Sequence, residues 1–163
     1  MSFIKMSNGS YYNLDAIEKE FKYCTDKCEY WGGCGIRTDS INSAIFDMMQ
    51  VKKFANKEDG KQLYHMIITI KSYTAKDNNR QMTENSCCRL IGYEVSQILY
   101  NLGYQCAFFK HKSNENIHLH FVINSVNFLN GNKLTGESTI INFIAKYLKR
   151  EYTFLQWYAP FGK

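Results

Sequence analysis

His118 and His120 stand two residues apart with Leu119 between them, and His111 lies seven residues before His118. A neutral imidazole binds divalent ions. Three on one patch can hold an ion and leave positions open for water or a substrate oxygen. The spacing permits such a patch. Alternate side chains of a strand share a face, so His118 and His120 point the same way, with Val122 and Asn124. Between them, Ile117, Leu119, Phe121 and Ile123 make an apolar row for the opposite face. His111 closes the preceding apolar run, which begins at Tyr104. If the two runs pair as an antiparallel hairpin turning at 112–117, His111 falls opposite His118. Three of the chain's four histidines then share one patch. The fourth, His65, shares a strand face with Ile67 and Thr69 and reads as a structural histidine bonded to a neighbour.

Other elements must position that hairpin. Asn13 can cap a helix over about 13–27, with Leu14, Ile17, Phe21 and Cys24 as its apolar stripe. Tyr23 lies roughly opposite the stripe, so the pattern does not assign it to a core. Residues 29–37 read as a glycine-broken turn entering a short strand. A second helix is predicted over about 40–55, burying Ile41, Ile45, Met48 and Val51. A turn at 56–61 leads to a strand over 62–71, with Tyr64, Met66, Ile68 and Ile70 on one face. Residues 72–81 read as a polar loop. Thr83 can cap a helix to about 102, with Cys87, Ile91, Val95, Ile98 and Leu102 inward and Gly103 as its stop. Asn130-Gly131 signals a turn. A last helix is predicted over about 138–152, and 153–163 is an apolar-aromatic tail of no predicted conformation. This order predicts an α+β fold, a mostly antiparallel sheet with helices packed on at least one face.

At 163 residues, one domain over 1–163 is expected, burying roughly 70% of its unfolded surface without help from disulfides. The net charge of +5 favours a phosphate-bearing partner without requiring one. Lys57, Lys61, Lys110, Lys112, Lys146, Lys149 and Arg150 could line a DNA track, though each singly reads as a solvated charge. No apolar stretch is long enough to span a membrane, and the N-terminus lacks a signal-peptide layout, so a cytoplasmic protein is predicted. Cys24-x3-Cys28-x5-Cys34 matches no common zinc spacing. The six cysteines are expected to be free thiols, mostly buried.

Two stretches of this hairpin, from Gly103-Tyr104-Gln105-Cys106 to His111 and from Ile117-His118-Leu119-His120 to Phe128, closely resemble the metal motif of relaxase/mobilisation nucleases, members of the HUH endonuclease superfamily. Asp59-Gly60-Lys61-Gln62-Leu63-Tyr64-His65 resembles the family's strand before its long helix. Phe21-Lys22-Tyr23-Cys24-Thr25-Asp26-Lys27 resembles the tract that holds its nucleophilic tyrosine. The likeness spans about 15–134. It implies site-specific nicking of one DNA strand at a transfer origin, with Tyr23 as nucleophile left joined to the 5′ phosphate. It implies His111, His118 and His120 as ligands of Mn²⁺ or Mg²⁺. Imidazoles favour zinc, nickel or copper over magnesium, so manganese reconciles the two, and nickel or zinc can occupy such a site in a crystal. Asn124, Lys61 and Lys112 are candidate phosphate or nucleic-acid contacts. The implied partners are single-stranded DNA or an origin hairpin and accessory relaxosome proteins, with no membrane.

The sequence departs from the family pattern at two places. Ser113 stands where an aspartate is usual, and Asn116 where a further histidine is common. Carboxylates behind metal-bound imidazoles orient them, and Asp26 or Glu115 are candidates to compensate. Tyr11, Tyr12 and Tyr30 are rivals for the nucleophile. A rolling-circle replication initiator or single-strand transposase, a degenerate DNA-binding relaxase without activity, and a metal hydrolase of small molecules stand as alternative functions.

Overall fold

The two apolar runs around the histidines pair as an antiparallel hairpin, in the register that alternation predicts: His111 is opposite His118. The computed structural model describes residues 1–72 and 82–158. In chain order they form β1 (Phe3–Met6), α1 (Ala16–Thr25), β2 (Tyr30–Cys34), α2 (Ile41–Phe54), β3 (Leu63–Lys71), α3 (Glu84–Asn101), β4 (Cys106–Lys112), β5 (Asn116–Asn124) and α4 (Glu137–Glu151). A 3₁₀ turn, Thr153–Leu155, follows. The strands make one sheet in the order β1-β3-β5-β4-β2, and every pair is antiparallel. This is the predicted α+β fold.

Burial divides the sheet into two unequal faces. Met66, Ile68, Ile70, Cys106, Phe108, Leu119, Phe121 and Ile123 form one large core with Ile91, Val95 and Leu99 of α3 and Ile141, Ile144 and Leu148 of α4. On the other face a smaller core joins Ile17, Phe21 and Cys24 of α1 and Ala44 and Met48 of α2 to Leu63, Ala107, Phe109 and Val122. Beyond that smaller core, Ile67 of β3, His118 of β5 and His111 of β4 stay half-buried and Lys5 of β1 is exposed. The histidine patch therefore sits at the margin of the second core. Thr83 Oγ1 accepts from Ser86 N to cap α3 and Ser40 Oγ accepts from Ser43 N to cap α2, each such cap contributing about 1 kcal/mol. Gly103 ends α3 with φ +101°, a left-handed conformation natural to glycine.

Several expectations need correction. Residues 3–6 are a strand: β1 pairs with β3, and Ser2 bridges to Trp157 of the tail. So short an edge strand carries too little alternation to register in the sequence. The glycine tract is itself a strand, β2, rather than a turn before one. A side chain at Gly32 would collide with the Phe108 ring, as would one at Gly92 of α3; the glycines make room for that ring in the core. Leu14 and Leu102 are exposed, because α1 begins only at Ala16 and α3 ends before residue 102. Ile41, Ile45 and Val51 are half-buried while α2 turns Ala44, Met48 and Lys52 inward. Most of the predicted loop, 73–81, and the end of the tail, 159–163, lie outside the described residues. None of the described helices is long and apolar enough to cross a membrane.

Lys52 is fully buried, with Nζ donating to the Gln62 carbonyl at 2.6 Å and to Ser125 Oγ at 2.9 Å. Burial, helped by nearby Lys133, pulls its pKa down to about 7. The unfolded chain holds this proton up to about pH 10.5, the folded chain only to about 7. Lys52 thus lowers stability most below pH 7, and the loss fades as pH rises from 7 to 10.5. Urea unfolding of wild type and Lys52→Met across pH 6–10 should show wild type gaining on the variant above pH 7, by up to about 1.4 kcal/mol per pH unit. A pH-independent difference would refute the buried charge.

Candidate functional site

The β4–β5 hairpin brings the three predicted histidines side by side. The His111 and His120 ring centroids are 4.3 Å apart, and those of His118 and His120 6.2 Å. Helix α1 lays a further aromatic ring against them: Tyr23 meets His120 edge-on at 6.3 Å, with 79° between the planes. Tyr23 is 55% exposed, so it touches the patch while remaining open to solvent. Its helical neighbours Glu20 and Cys24, four residues apart on one face, turn into the site.

His65 stands behind His120. Its Nε2 lies 2.9 Å from His120 Nδ1, and its Nδ1 lies 2.9 Å from Glu20 Oε1 and 3.1 Å from the Tyr11 hydroxyl. Both His65 and Glu20 are largely buried. A carboxylate only accepts, so the neutral form of His65 carries its hydrogen on Nδ1 and offers the Nε2 lone pair. That lone pair accepts Nδ1–H of His120, which leaves the lone pair of His120 on Nε2. Glu20 thereby sets the tautomer of His120 through His65, a carboxylate–imidazole–imidazole chain of the kind that orients metal ligands. His111 donates from Nε2 to the Cys24 carbonyl, and His118 Nδ1 lies 3.2 Å from Thr69 Oγ1. Each imidazole of the patch thus keeps one ring nitrogen without a partner among the described residues. Burial, then the neighbouring histidines, pulls the His120 pKa down to about 3, and burial lowers that of His118. Both are neutral near pH 7, the state that ligates a metal.

A different set is closer to closing on an ion. The donor atoms of Cys24, His65 and His120 all lie within 4.8 Å of one another, and all three residues are buried. This group alone meets that criterion among the described residues. Burial, then Glu20, pushes the Cys24 thiol upward, so its sulfur is protonated. Cys28 and Cys34 do not join it; Cys34 Sγ donates to Gln97 Oε1. The cysteines are free thiols, four of them buried, as predicted.

Other predicted residues are engaged elsewhere. Asn124 is fully buried, its amide donating to the Met48 carbonyl and Gln105 Oε1 while its oxygen accepts from Val126 N. The expectation of a phosphate contact there is corrected: Asn124 braces the far end of β5. Lys112 pairs with Glu84 of α3 at 2.9 Å, and alternation along β4 sends it to the face opposite His111. Lys61 lies over the Tyr64 ring, 4.0 Å from Glu137 at the start of α4. Neither lysine joins the histidines. Asp26 and Glu115 are exposed, and the carboxylate bonded into the site is Glu20. Ser113 closes the hairpin turn, with its N and Oγ both donating to the Asn116 carbonyl. Among the rival tyrosines, Tyr30 packs on the α3 face and Tyr12 is exposed. Tyr11 reaches the site, but its oxygen is bonded to His65 and Ser7, and burial raises its pKa.

Sequence reasoning missed Glu20, Cys24 and His65 as members of the site. The i,i+4 spacing of Glu20 and Cys24 and the shared face of His65 and Thr69 were available signals. Their convergence depends on β3 pairing with β5 and on α1 crossing both.

Comparison with known proteins supplies the family. A family model described as the nuclease domain of MobA/VirD2-like relaxases matches residues 12–153. The chain is similar to Protein rlx of Staphylococcus aureus, 27% identical over 136 residues, which is 82% of this chain and 38% of that protein. The chain therefore spans under two fifths of the length of this relative. No solved structure matches.

Proposed function

The chain belongs to the MobA/VirD2-like relaxase nuclease family, and from that premise we propose that it cuts one DNA strand at the transfer origin of a plasmid or other mobile element. In this reading residues 1–163 act as one nuclease domain, in the cytoplasm, on single-stranded DNA or an origin hairpin, alongside accessory relaxosome proteins. Tyr23 is the nucleophile. Its oxygen forms a bond to the scissile phosphorus while the bond to the 3′ oxygen breaks, and the phenolic proton ends on the released 3′ hydroxyl. One phosphodiester replaces another, so the linkage is conserved and the strand can be rejoined.

His111, His118 and His120 are the proposed holders of a divalent ion, manganese or magnesium. When bound, the ion supplies positive charge beside the non-bridging phosphate oxygens as charge builds in the transition state. The donor set fits: three adjacent imidazoles, each with one uncommitted nitrogen, two of them held neutral by burial. The nitrogens of these three rings do not yet lie within 4.8 Å of one another, so the rings must close up for all three to share one ion. Glu20 and His65 keep the His120 Nε2 lone pair directed outward.

The observation that carries this reading is the edge-on contact of the exposed Tyr23 ring with His120. It puts a solvent-reachable phenol beside the proposed ligands. The test incubates the purified chain with labelled single-stranded oligonucleotides tiling the DNA on either side of its own gene, with Mn²⁺ or with a chelator. A covalent protein–DNA adduct on a denaturing gel is expected with Mn²⁺ and not with chelator. Binding without adduct under Mn²⁺ and Mg²⁺ would sink the proposal and leave a DNA-binding module.

A further inference from the structure

We propose that Cys24, His65 and His120 form a second metal site, selective for soft divalent ions such as zinc, that competes with the histidine patch for His120. The binding half stands on the geometry alone; the competition half rests on the function proposed above.

The donors are already gathered. Sγ of Cys24 and one ring nitrogen each of His65 and His120 lie within 4.8 Å of one another, and all three residues are buried. Tetrahedral zinc with bonds of about 2.0–2.1 Å places two nitrogen ligands about 3.3 Å apart. The His65 Nε2 to His120 Nδ1 pair, now at 2.9 Å, needs to open by only a few tenths of an ångström. A cysteine sulfur in the set selects zinc or cobalt over manganese and magnesium, which prefer oxygen. The proton balance is local. The sulfur–metal bond forms as the S–H bond breaks, and the proton passes to the Glu20 carboxylate, which already accepts from Sγ at 3.9 Å. The fourth position is left to water.

The competition follows from the two nitrogens of one ring. The patch needs the lone pair of His120 on Nε2. An ion between Cys24 and His65 needs it on Nδ1, so the ring hydrogen must move to Nε2. A neutral imidazole cannot offer both nitrogens at once, so filling the buried site disables the outer one. The structure assigns to Cys24 the part of a metal-sensitive brake.

Cobalt reports a cysteine ligand directly. Titrating the intact chain with Co²⁺ should give a saturable thiolate-to-cobalt absorption band in the near-ultraviolet, retained in Cys28→Ser, lost in Cys24→Ser and displaced by zinc. In the adduct assay with excess Mn²⁺, equimolar zinc should cut the wild-type rate more than about tenfold, leaving Cys24→Ser within about twofold of its zinc-free rate. X-ray absorption of the zinc-loaded wild type, which needs no variant, should show one sulfur at about 2.3 Å. No cobalt band and no zinc–sulfur distance would overturn the site. Equal zinc inhibition of wild type and Cys24→Ser would overturn the competition. If no adduct forms with any metal, the function reading fails, while the cobalt and X-ray results still decide the site.

Discussion

Tyr23→Phe is expected to lower covalent adduct formation by at least about 10³-fold, the scale on which removal of a nucleophile is felt, while DNA affinity changes less than about twofold. The two effects separate because of where the residue sits. Tyr23 is exposed, and its contact with His120 is a T-shaped ring–ring contact. Phenylalanine keeps the ring and the contact and removes only the attacking oxygen. Adduct gels measure the first effect and fluorescence anisotropy with the same oligonucleotide the second. Wild-type adduct levels from Tyr23→Phe, together with their loss in Tyr11→Phe, would transfer the role to Tyr11. That is the one rival whose hydroxyl reaches the site.

His120→Ala is expected to reduce Mn²⁺-dependent nicking by about 10²–10³-fold or more, the cost of removing a group that stabilises transition-state charge. It should also weaken Mn²⁺ binding by calorimetry. His120 touches more of the site than any other residue: rings from His111, His118, His65 and Tyr23 all surround it. The substitution also leaves His65 Nε2 buried without its partner, which costs about 1–3 kcal/mol of stability. Thermal unfolding must therefore show a cooperative transition above the assay temperature. A folded variant that binds Mn²⁺ and nicks like wild type would remove His120 from the proposed machinery.

The parts of this site that the sequence discloses are those set by local geometry. A period of two and a short turn placed His111 opposite His118 with no knowledge of the rest of the sheet. The helical stripe Ile17, Phe21, Cys24 put Tyr23 off the core in the same way. What stayed hidden depends on distant pairing. The Glu20–His65–His120 chain exists because β3 lies beside β5 and α1 crosses them, and contacts of this separation leave no periodic trace. The departures at Ser113 and Asn116 drew attention to the wrong carboxylates for the same reason. Glu115 is near the histidine motif in sequence and Asp26 lies in the tyrosine tract, but the carboxylate that reaches the histidines in space is Glu20, through His65. β2 was obscured by its two glycines, Gly32 set against the Phe108 ring and Gly33 against the Cys106 carbonyl and Ile36. Lys52 was unreadable as a buried residue, since its partners Gln62 and Ser125 come from elsewhere in the chain.

Glu20, Tyr23 and Cys24 occupy barely one turn of α1, and this has an evolutionary consequence. Each residue advances a helix by about 100°. A single insertion or deletion ahead of Glu20 within the helix would swing all three away together. The phenol would leave His120, the carboxylate would leave His65 and the thiol would leave both histidines. Substitutions can alter these functions one at a time, but changes of length cannot. Among relatives that retain all three, this turn should accept varied side chains and no gaps, whereas the loops either side can lengthen freely.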